Sequence, residues 1–286
     1  SHEMTMKRFT ASRDASLISA IAEGLTVSRR QAKALVDERR ILINRERVHT
    51  AKEKVYRNDT ITVTPSKDPA PAPYTPLFSS PTCAIFDKPA GLITNEADDS
   101  FEARLQAQDD TPIRVTHRLD RETSGCLITS SEKATHTALL RSFKRGLVTK
   151  TYLAIVVTAG GPHRLRDRLR IKQPVAGRAA LTEGHVLHRA GCYALVKLRI
   201  PTGRTHQIRI HLESVHCPVL GDKQYGTARK LDTLETQVPR HMLHAWKIDF
   251  PDPADPQYHI GATAPLPSDF QAALTHCALR LPRSSG

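Results

Sequence analysis

The sequence predicts an α+β protein with two parts of unequal size. Strand-like segments rich in β-branched and aromatic residues run from Lys150 to Val157 and from Cys192 to Ile200, and helix-like segments interleave with them. A proline-rich stretch, residues 65–81, separates this larger part from a shorter N-terminal one, because so many prolines exclude a helix or a central strand. We therefore expect an N-terminal module at 10–64, a semi-rigid linker at 65–81 and a main domain at 82–283.

The N-terminal module has the pattern of two short helices followed by short strands. Asp14 is placed to cap the first helix, which Gly24 would end. Ser28 opens the second helix, and Gln31 is placed to complete a capping box. The strands expected after it are Ile41 to Ile43 and Thr60 to Val63, with a turn at Asn58-Asp59 before the second.

Three cations crowd the start of the second helix: Arg29, Arg30 and Lys33. The helix dipole disfavours positive charge there, but free backbone N–H groups at the same end attract phosphate. The pattern is compatible with an anion bound at this end of the helix, but without further support it favours an ordinary solvated face.

The chain is strongly basic, with 42 Lys plus Arg against 29 Asp plus Glu and a formal net charge of +13. Because the excess is spread along the chain, it favours a polyanionic partner bound by folded surface. No apolar run approaches the roughly 20 residues that span a bilayer, and no signal peptide is visible. The five cysteines are scattered and lack a Cys-x-x-Cys pair, so we expect reduced thiols, a cytoplasmic protein and no metal site.

The segment His117-Arg118-Leu119-Asp120-Arg121-Glu122-Thr123-Ser124-Gly125 is the most informative of the chain. It places the carboxylate of Asp120 between two arginines, just before a Thr-Ser-Gly turn and a strand-like run. Flanking cations keep a carboxylate ionised, which a nucleophile requires. By itself the pattern is more often that of a surface ion pair than that of a catalytic residue.

This segment resembles the HRLDxxTSG signature of the RluA-type RNA pseudouridine synthases. Further blocks occur in the same order as in that family: Lys88-Pro89-Ala90-Gly91-Leu92, Lys150-Thr151-Tyr152-Leu153-Ala154, Gly203 to Leu212, Pro218 to Gly226, and Leu243-His244-Ala245. The resemblance implies a catalytic domain with a mixed, largely antiparallel β-sheet and flanking helices. It also implies the isomerisation of uridine to pseudouridine in RNA, which involves no redox change and needs no cofactor.

The resemblance also suggests roles for individual residues. Asp120 would be the catalytic nucleophile, Arg209 its ion-pair partner, and Tyr152 the active-site tyrosine that stacks on the base. Arg118 would take part in base flipping. His117, Arg121 and Arg204 are further candidates for RNA contacts, although a hydrogen-bonded structural role suits His117 as well.

The N-terminal module resembles the S-four-type RNA-binding module that precedes the catalytic domain in many RluA-type enzymes. The matching residues are Ser28-Arg29-Arg30-Gln31-Ala32, Ile41 to Asn44, and Asn58 to Ile61. One departure is that Asn44-Arg45 stands where the usual turn is Asn-Gly. This puts the turn geometry and the RNA contacts there in doubt.

Together these observations predict a cytoplasmic, monomeric RNA pseudouridine synthase. Large-subunit ribosomal RNA is the first candidate substrate and transfer RNA the second. Two alternatives remain: a non-catalytic RNA-binding or ribosome-assembly factor that retains the fold, and a hydrolase that uses Asp120 or Ser124.

Overall fold

The computed structural model describes residues 6–48, 50–64, 73–158, 165–226 and 238–283. The chain divides into two compact units, Ser1–Pro73 and Tyr74–Gly286. No helix among the described residues has the length and apolar character needed to cross a membrane.

The described residues of the first unit form two helices and six short strands. They are β1 (Lys7–Thr10), β2 (Ala15–Ser16), α1 (Leu17–Leu25), α2 (Arg29–Asp37), β3 (Ile41–Ile43), β4 (Glu46–Arg47), β5 (Lys54–Val55) and β6 (Thr60–Val63). Four strands form an antiparallel sheet in the order β1-β6-β3-β4, and β2 pairs with β5. The core of this unit joins Leu17 and Ile21 of α1, Ala32 and Val36 of α2, and Ile61 of β6.

The predicted cap of the second helix of this unit is correct, and the predicted cap of the first is wrong. Ser28 caps α2, and its reciprocal bonds with Gln31 complete the predicted capping box. The prediction that Asp14 caps α1 is wrong, because Ser16 accepts the N–H of Ser19 instead. The carboxylate of Asp14 accepts the backbone N–H of Arg57, since residues 15 and 16 are extended and pair with β5.

The turn between β3 and β4 carries backbone strain at Arg45, whose φ is 72° after a φ of 50° at Asn44. Both angles lie in the left-handed region, where a residue with a Cβ atom is disfavoured by about 1 kcal/mol and glycine is not. The side chain of Asn44 supports the turn by donating to Asp59 and accepting from the N–H of Thr60.

We expect Arg45→Gly to raise the free energy of opening of this unit by roughly 0.5 kcal/mol, because relief of strain exceeds the added entropy of the unfolded chain. Amide hydrogen exchange of Ile41–Ile43 measures that free energy. The control is Glu46→Gly at the next residue, which is also exposed. Because Glu46 is not in the left-handed region, glycine at this position should destabilise the unit. Equal slowing or equal acceleration of exchange in both variants would contradict the strain at Arg45.

The second unit contains ten strands and four helices among its described residues. They are β7 (Phe78–Ser79), β8 (Cys83–Lys88), α3 (Phe101–Asp109), β9 (Arg114–Val115), β10 (Ser124–Ser130), α4 (Lys133–Lys144), β11 (Thr149–Val157), β12 (Arg168–Ile171), β13 (Thr182–Ala190), β14 (Tyr193–Arg199), α5 (Gln207–Ser214), β15 (Leu243–Pro251), β16 (His259–Thr263) and α6 (Ser268–His276).

All of these strands belong to one sheet, whose main order is β12-β13-β14-β11-β15-β10-β8-β7. Strand β16 pairs with β15, and β9 pairs with β10. The β10–β15 pair is parallel, and the other pairings of this sheet are antiparallel. The prediction of an α+β domain with a mixed, largely antiparallel sheet is confirmed.

Helices cover both faces of this sheet. One face packs against Phe101 and Leu105 of α3 and Ile208 and Leu212 of α5. The other face packs against Leu139 of α4 and, further along the sheet, against Phe270, Ala273 and Leu274 of α6. Strands alternate between these cores: Ala154 and Val156 of β11 face the first, whereas its Leu153 and Ile155 face the second.

Part of the stretch that we expect to be a linker has regular structure. Residues 65–72 lie outside the described residues, but residues from Tyr74 onward belong to the second unit. Phe78 and Ser79 pair with Ile85 and Ala84 of β8 as the outermost strand of the main path. An edge position suits this proline-rich neighbourhood, because proline cannot donate to a central ladder.

Candidate active site

Asp120 lies in the loop between β9 and β10, where its side chain is 23% exposed. The loop closes by a hydrogen bond from the Thr123 N–H to the Asp120 carbonyl at 3.0 Å. Gly125 follows in β10 with a φ of 120°, and a Cβ atom there would lie 2.2 Å from the carbonyl oxygen of Ala245 in β15. Only glycine therefore allows β15 to approach the strand that leaves this loop.

Arg209 reaches Asp120 from helix α5. Its Nη1 atom lies 3.2 Å from Asp120 Oδ2. The same guanidinium binds the carboxylate of Asp222 in a bidentate manner, with Nε to Oδ2 at 2.7 Å and Nη2 to Oδ1 at 3.0 Å. Arg209 thus bridges two carboxylates, one partly exposed and one fully buried.

Asp222 fixes the position of Arg209. Besides the guanidinium, its Oδ1 atom accepts the backbone N–H groups of Gln224 and Tyr225, both at 3.0 Å. Burial favours a raised pKa for Asp222, but the Arg209 and Tyr225 hydrogen bonds outweigh burial and lower that pKa. Burial favours a lowered pKa for Arg209, and the bonds and charge of Asp222 outweigh it in turn and raise that pKa. Both groups are therefore charged, and the pair is a rigid base for the contact with Asp120.

His206 and Tyr225 flank this ion pair. The Tyr225 ring lies 4.9 Å from the guanidinium carbon of Arg209, and its hydroxyl is 2.9 Å from His206 Nδ1. His206 Nε2 is 3.9 Å from Asp120 Oδ1, too far for a hydrogen bond. The Oδ1 atom of Asp120 is consequently the freer of its two oxygens.

Tyr152 lies in the same row of the sheet as Gly125, at the start of the strand that follows the Asp120 loop. Ala245 pairs with Gly125 on one side and with Tyr152 on the other. Burial first, and then the charge of Asp120, raises the pKa of Tyr152. Its hydroxyl is therefore uncharged at neutral pH, and its ring belongs to the apolar core that borders the site.

Lys88 lies beneath the Asp120 loop with a fully buried side chain. Its Nζ atom donates to the carbonyl oxygens of Pro89, Leu92 and Arg121, at 2.8, 2.8 and 3.0 Å. Burial lowers the pKa of Lys88 to about 7, although the charges of Glu122 and Asp120 act in the opposite direction. Three carbonyl acceptors match the three donors of the ammonium form.

Two histidines pack behind the Thr-Ser-Gly turn. His241 Nε2 lies 2.8 Å from Thr123 Oγ1, and burial followed by the charge of Arg209 lowers the pKa of His241 to about 3. His244 Nδ1 lies 2.8 Å from Ser124 Oγ, and burial lowers the pKa of His244 to about 4. Both rings are therefore neutral at physiological pH and hold the turn by hydrogen bonds.

The Ser124–His244 contact is not arranged like a hydrolase dyad. Ser124 is 1% exposed, so no substrate reaches its hydroxyl. Arg240 Nη2 also donates to that hydroxyl, at 3.1 Å, and the same guanidinium forms an ion pair with Asp269 of α6. This network ties the turn to α6.

The other candidates from the signature segment, Arg118, His117 and Arg121, differ in their exposure and in their contacts. Arg118 is exposed and forms a loose ion pair of 3.6 Å with the exposed Glu96. His117 Nε2 accepts the backbone N–H of Ile128 at 3.0 Å, and burial lowers the pKa of His117 to about 3. This neutral, hydrogen-bonded ring corresponds to the structural alternative. Arg121 has an exposed side chain.

Arg204 is half-buried in the turn that precedes α5, and its Nε atom donates to the carbonyl of Ala179 at 3.0 Å. In the first unit, Arg29 donates to Ser19 Oγ, and Lys33 pairs with Asp37 at 2.7 Å. Arg29, Arg30 and Lys33 are all exposed at the start of α2. The structure thus brings Asp120, Arg209 and Tyr152 into one region, and the helix cations belong to a different unit.

Asp222, His206, Tyr225 and Lys88 were quoted from the sequence as parts of motif blocks without a role. No sequence pattern pointed to His206. It precedes α5 with a φ of 56°, and that backbone angle is known only from the structure. Among the described residues, no group of three or more His, Cys, Asp and Glu side chains is arranged to hold a metal ion.

The model of the RNA pseudouridylate synthase family matches residues 82–214 of this chain. A protein of Xanthomonas campestris named ribosomal large subunit pseudouridine synthase D is 32% identical over 233 residues, which cover 72% of this chain and 70% of that protein. A protein of the same name from Nitrosomonas europaea is 31% identical over 266 residues, which cover 82% of this chain and 76% of that protein.

Solved structures of similar fold include two human proteins. Human RNA pseudouridylate synthase domain containing 4 aligns with a TM-score of 0.61 at 24% identity, over 73% of this chain and 94% of that one. Human RNA pseudouridylate synthase domain containing 1 aligns with a TM-score of 0.58 at 24% identity, over 72% and 90% of the two chains. At this identity the two structures establish the likeness of fold.

Proposed function

Since this chain belongs to the RNA pseudouridylate synthase family, we propose that it isomerises uridines of large-subunit ribosomal RNA with Asp120 as the nucleophile. The predicted family is confirmed, and the protein is an isomerase that converts uridine to pseudouridine in RNA. Ribosomal RNA is proposed because both relatives are named for the ribosomal large subunit. Transfer RNA is the second candidate substrate.

The contact between Asp120 and Arg209 carries the proposed role of Asp120. The carboxylate is partly exposed, while the guanidinium that binds it is 7% exposed and held by Asp222. Such a partner orients the carboxylate, and it leaves Oδ1 open to a substrate. Isomerisation breaks the bond between N1 of uracil and C1′ of ribose, and forms one between C5 and C1′. Asp120 can attack either C1′ or the uracil ring to hold one fragment while the base turns.

Tyr152 supports this proposal through its ring. It lies in the row of Gly125 and Ala245, with β15 between its own strand and the strand that leaves the Asp120 loop. A base turned out of its stack gains roughly 1–3 kcal/mol by stacking on an aromatic ring. Because the Tyr152 hydroxyl is uncharged, we assign the ring to stacking, and a role for the hydroxyl as acceptor of the C5 proton would need a neighbouring base.

The first unit is proposed to be an S-four-type RNA-binding module, tethered through the proline-rich stretch to the catalytic domain. Its capping box at Ser28 and its exposed cations Arg29, Arg30 and Lys33 support this assignment. Phosphate contacts by such cations make binding salt-dependent. We further propose that the protein acts as a monomer in the cytoplasm, where ribosomal RNA is found.

Chemical mapping of pseudouridine tests the proposed function. Transcripts of large-subunit ribosomal RNA and of transfer RNA are incubated with the purified chain and mapped base by base. We expect conversion of one or a few defined uridines in the ribosomal transcript. Conversion in transfer RNA alone would refute the proposed substrate, and binding of RNA without any conversion would favour the non-catalytic alternative.

We expect Arg118→Ala to reduce kcat/KM on structured RNA by roughly 10- to 100-fold, and by no more than a few-fold on an unstructured oligonucleotide with the same uridine. Arg118 is exposed, and its loose contact with Glu96 costs little to break, so its guanidinium is free to fill the space that a flipped base leaves. Single-turnover rates on both substrates measure the difference. Glu96→Gln is the control and should leave both rates nearly unchanged. Equal losses on both substrates would contradict a flipping role.

A further inference from the structure

Lys150, at the start of β11, is a half-buried lysine. Its Nζ atom lies 5.9 Å from the centroid of the Phe143 ring in α4. A Cβ atom built on Gly203 would lie 3.2 Å from the same Nζ atom. The amine therefore lies between the end of α4 and the turn that leads into α5.

The described residues around Lys150 supply cations but no carboxylate within ion-pair distance. Burial, followed by the charge of Arg204, lowers the pKa of Lys150 to about 8. The charge of Lys150 adds to burial in lowering the pKa of His117. Two like charges in a partly desolvated place are unfavourable unless an anion joins them.

Lys150 lies near residues of the two segments that carry Asp120 and Arg209. His117 precedes Asp120 in the same loop, and Gly203 and Arg204 precede Arg209 in the turn before α5. A register shift in the β11–β15 ladder lies between Thr151 and Tyr152, one residue beyond Lys150. Bulges of this kind redirect side chains next to active sites.

We propose that Lys150 and Arg204 together bind one backbone phosphate of the RNA strand that carries the target uridine. This inference rests on the proposed function and adds a phosphate subsite to it. A phosphodiester supplies the missing anion, and it remains charged at every pH at which the protein is folded. The exposed Arg118 and Arg121 continue the positive surface along the Asp120 loop, which suits an extended strand better than a small free anion.

The first test measures how RNA affinity depends on salt. A transcript of large-subunit ribosomal RNA is titrated with the whole protein, with Lys150→Met and with Lys150→Arg over a range of KCl concentrations. Loss of one phosphate contact should lower the slope of log K against log[KCl] by roughly 0.7 and weaken binding roughly fivefold at low salt. Lys150→Arg should keep the slope of the unaltered protein.

Lys197→Met is the matched control. Lys197 is also a half-buried lysine of the same sheet, in β14, but it pairs with Leu153, whose side chain belongs to the core on the other face. Its removal should leave the slope unchanged. An unchanged slope in Lys150→Met, or an equal fall in Lys197→Met, would overturn the proposal.

The second test locates the phosphate. Stem-loops that contain the mapped uridine are made with one neutral methylphosphonate linkage at each position around it in turn. At one position the methylphosphonate should weaken binding by the unaltered protein. At that position it should have no further effect on binding by Lys150→Met, because both changes remove the same contact. Additive losses at every position would overturn the proposal. The salt test uses binding alone, so failure of catalysis by the unaltered protein would not be mistaken for failure of the phosphate contact.

Discussion

Asp120→Asn is expected to slow pseudouridine formation by more than about 10⁴-fold, because an amide is not a nucleophile. RNA affinity should change by no more than a few-fold, since the two side chains have nearly the same size and RNA affinity depends mainly on phosphate contacts made by lysine and arginine. Folding should be unaffected, because Arg209 retains its bidentate bond with Asp222. Single-turnover release of tritium from C5 of labelled uridine measures the rate.

The control for this change is Asp87→Asn in β8. Burial raises the pKa of Asp87 to about 6, so it is also a partly buried carboxyl group, but the structure shows no contact of it with Arg209. Its replacement should leave the rate within a few-fold of the unaltered protein. A rate for Asp120→Asn near that of the control would refute the nucleophile and leave the family assignment standing.

Asp222→Ala is expected to lower the free energy of unfolding of the second unit by about 3–5 kcal/mol, because it leaves the Arg209 guanidinium buried without its main partner. It should also remove most activity, since nothing else holds Arg209 against Asp120 as closely. Urea unfolding followed by fluorescence is suitable, because the single tryptophan, Trp246, lies in β15 of this unit.

Glu183→Ala provides the comparison for an exposed ion pair of the same unit. Glu183 pairs with Arg170 at 3.5 Å, and the two side chains are 42% and 70% solvent-exposed. Its loss should cost no more than about 0.5–1 kcal/mol. If Asp222→Ala and Glu183→Ala destabilised the protein equally, the buried pair would not be the support for Arg209 that the geometry indicates.

The same pair gives a pH dependence with a defined sign. The pKa of Asp222 is lowered in the folded state, so its contribution to stability is present above the pKa of the unfolded chain, about 3.9. That contribution is lost as the pH falls through the lower, folded pKa. Asp222→Ala should therefore be less sensitive to acid than the unaltered protein below about pH 4, and equally sensitive between neutral pH and that value.

The sequence was sufficient for the family, for the α+β class and for the pairing of Asp120 with Arg209. These features rest on contiguous motifs and on strand periodicity, both of which are local. The resemblance supplied the partner of Asp120, and the 3.2 Å contact agrees with it. The boundaries of the domains and the roles of single residues remain predictions.

What the sequence did not indicate depends on contacts between distant segments. Asp222 belongs to one of the motif blocks, yet no local sequence pattern shows that its carboxylate would be the second partner of the Arg209 guanidinium. Lys88 was part of a motif block with no role assigned, because its three acceptors are backbone carbonyls that only the folded chain brings together. Helix α3 was missed, since Phe101 and Leu105 are its only buried residues and its remaining pattern is not amphipathic.

The buried ammonium of Lys88 has a consequence for how this enzyme selects its substrates. It ties the backbone next to Asp120, at Arg121, to the loop after β8, at Leu92, so the carboxylate of Asp120 is preorganised before any nucleic acid arrives. Adaptation to differently shaped targets then falls on exposed arginines such as Arg118 and Arg121, and on the nucleic acid itself. Selectivity should follow the energy needed to deform the target, and uridines in weakly stacked loops should be modified faster than those in stable duplexes.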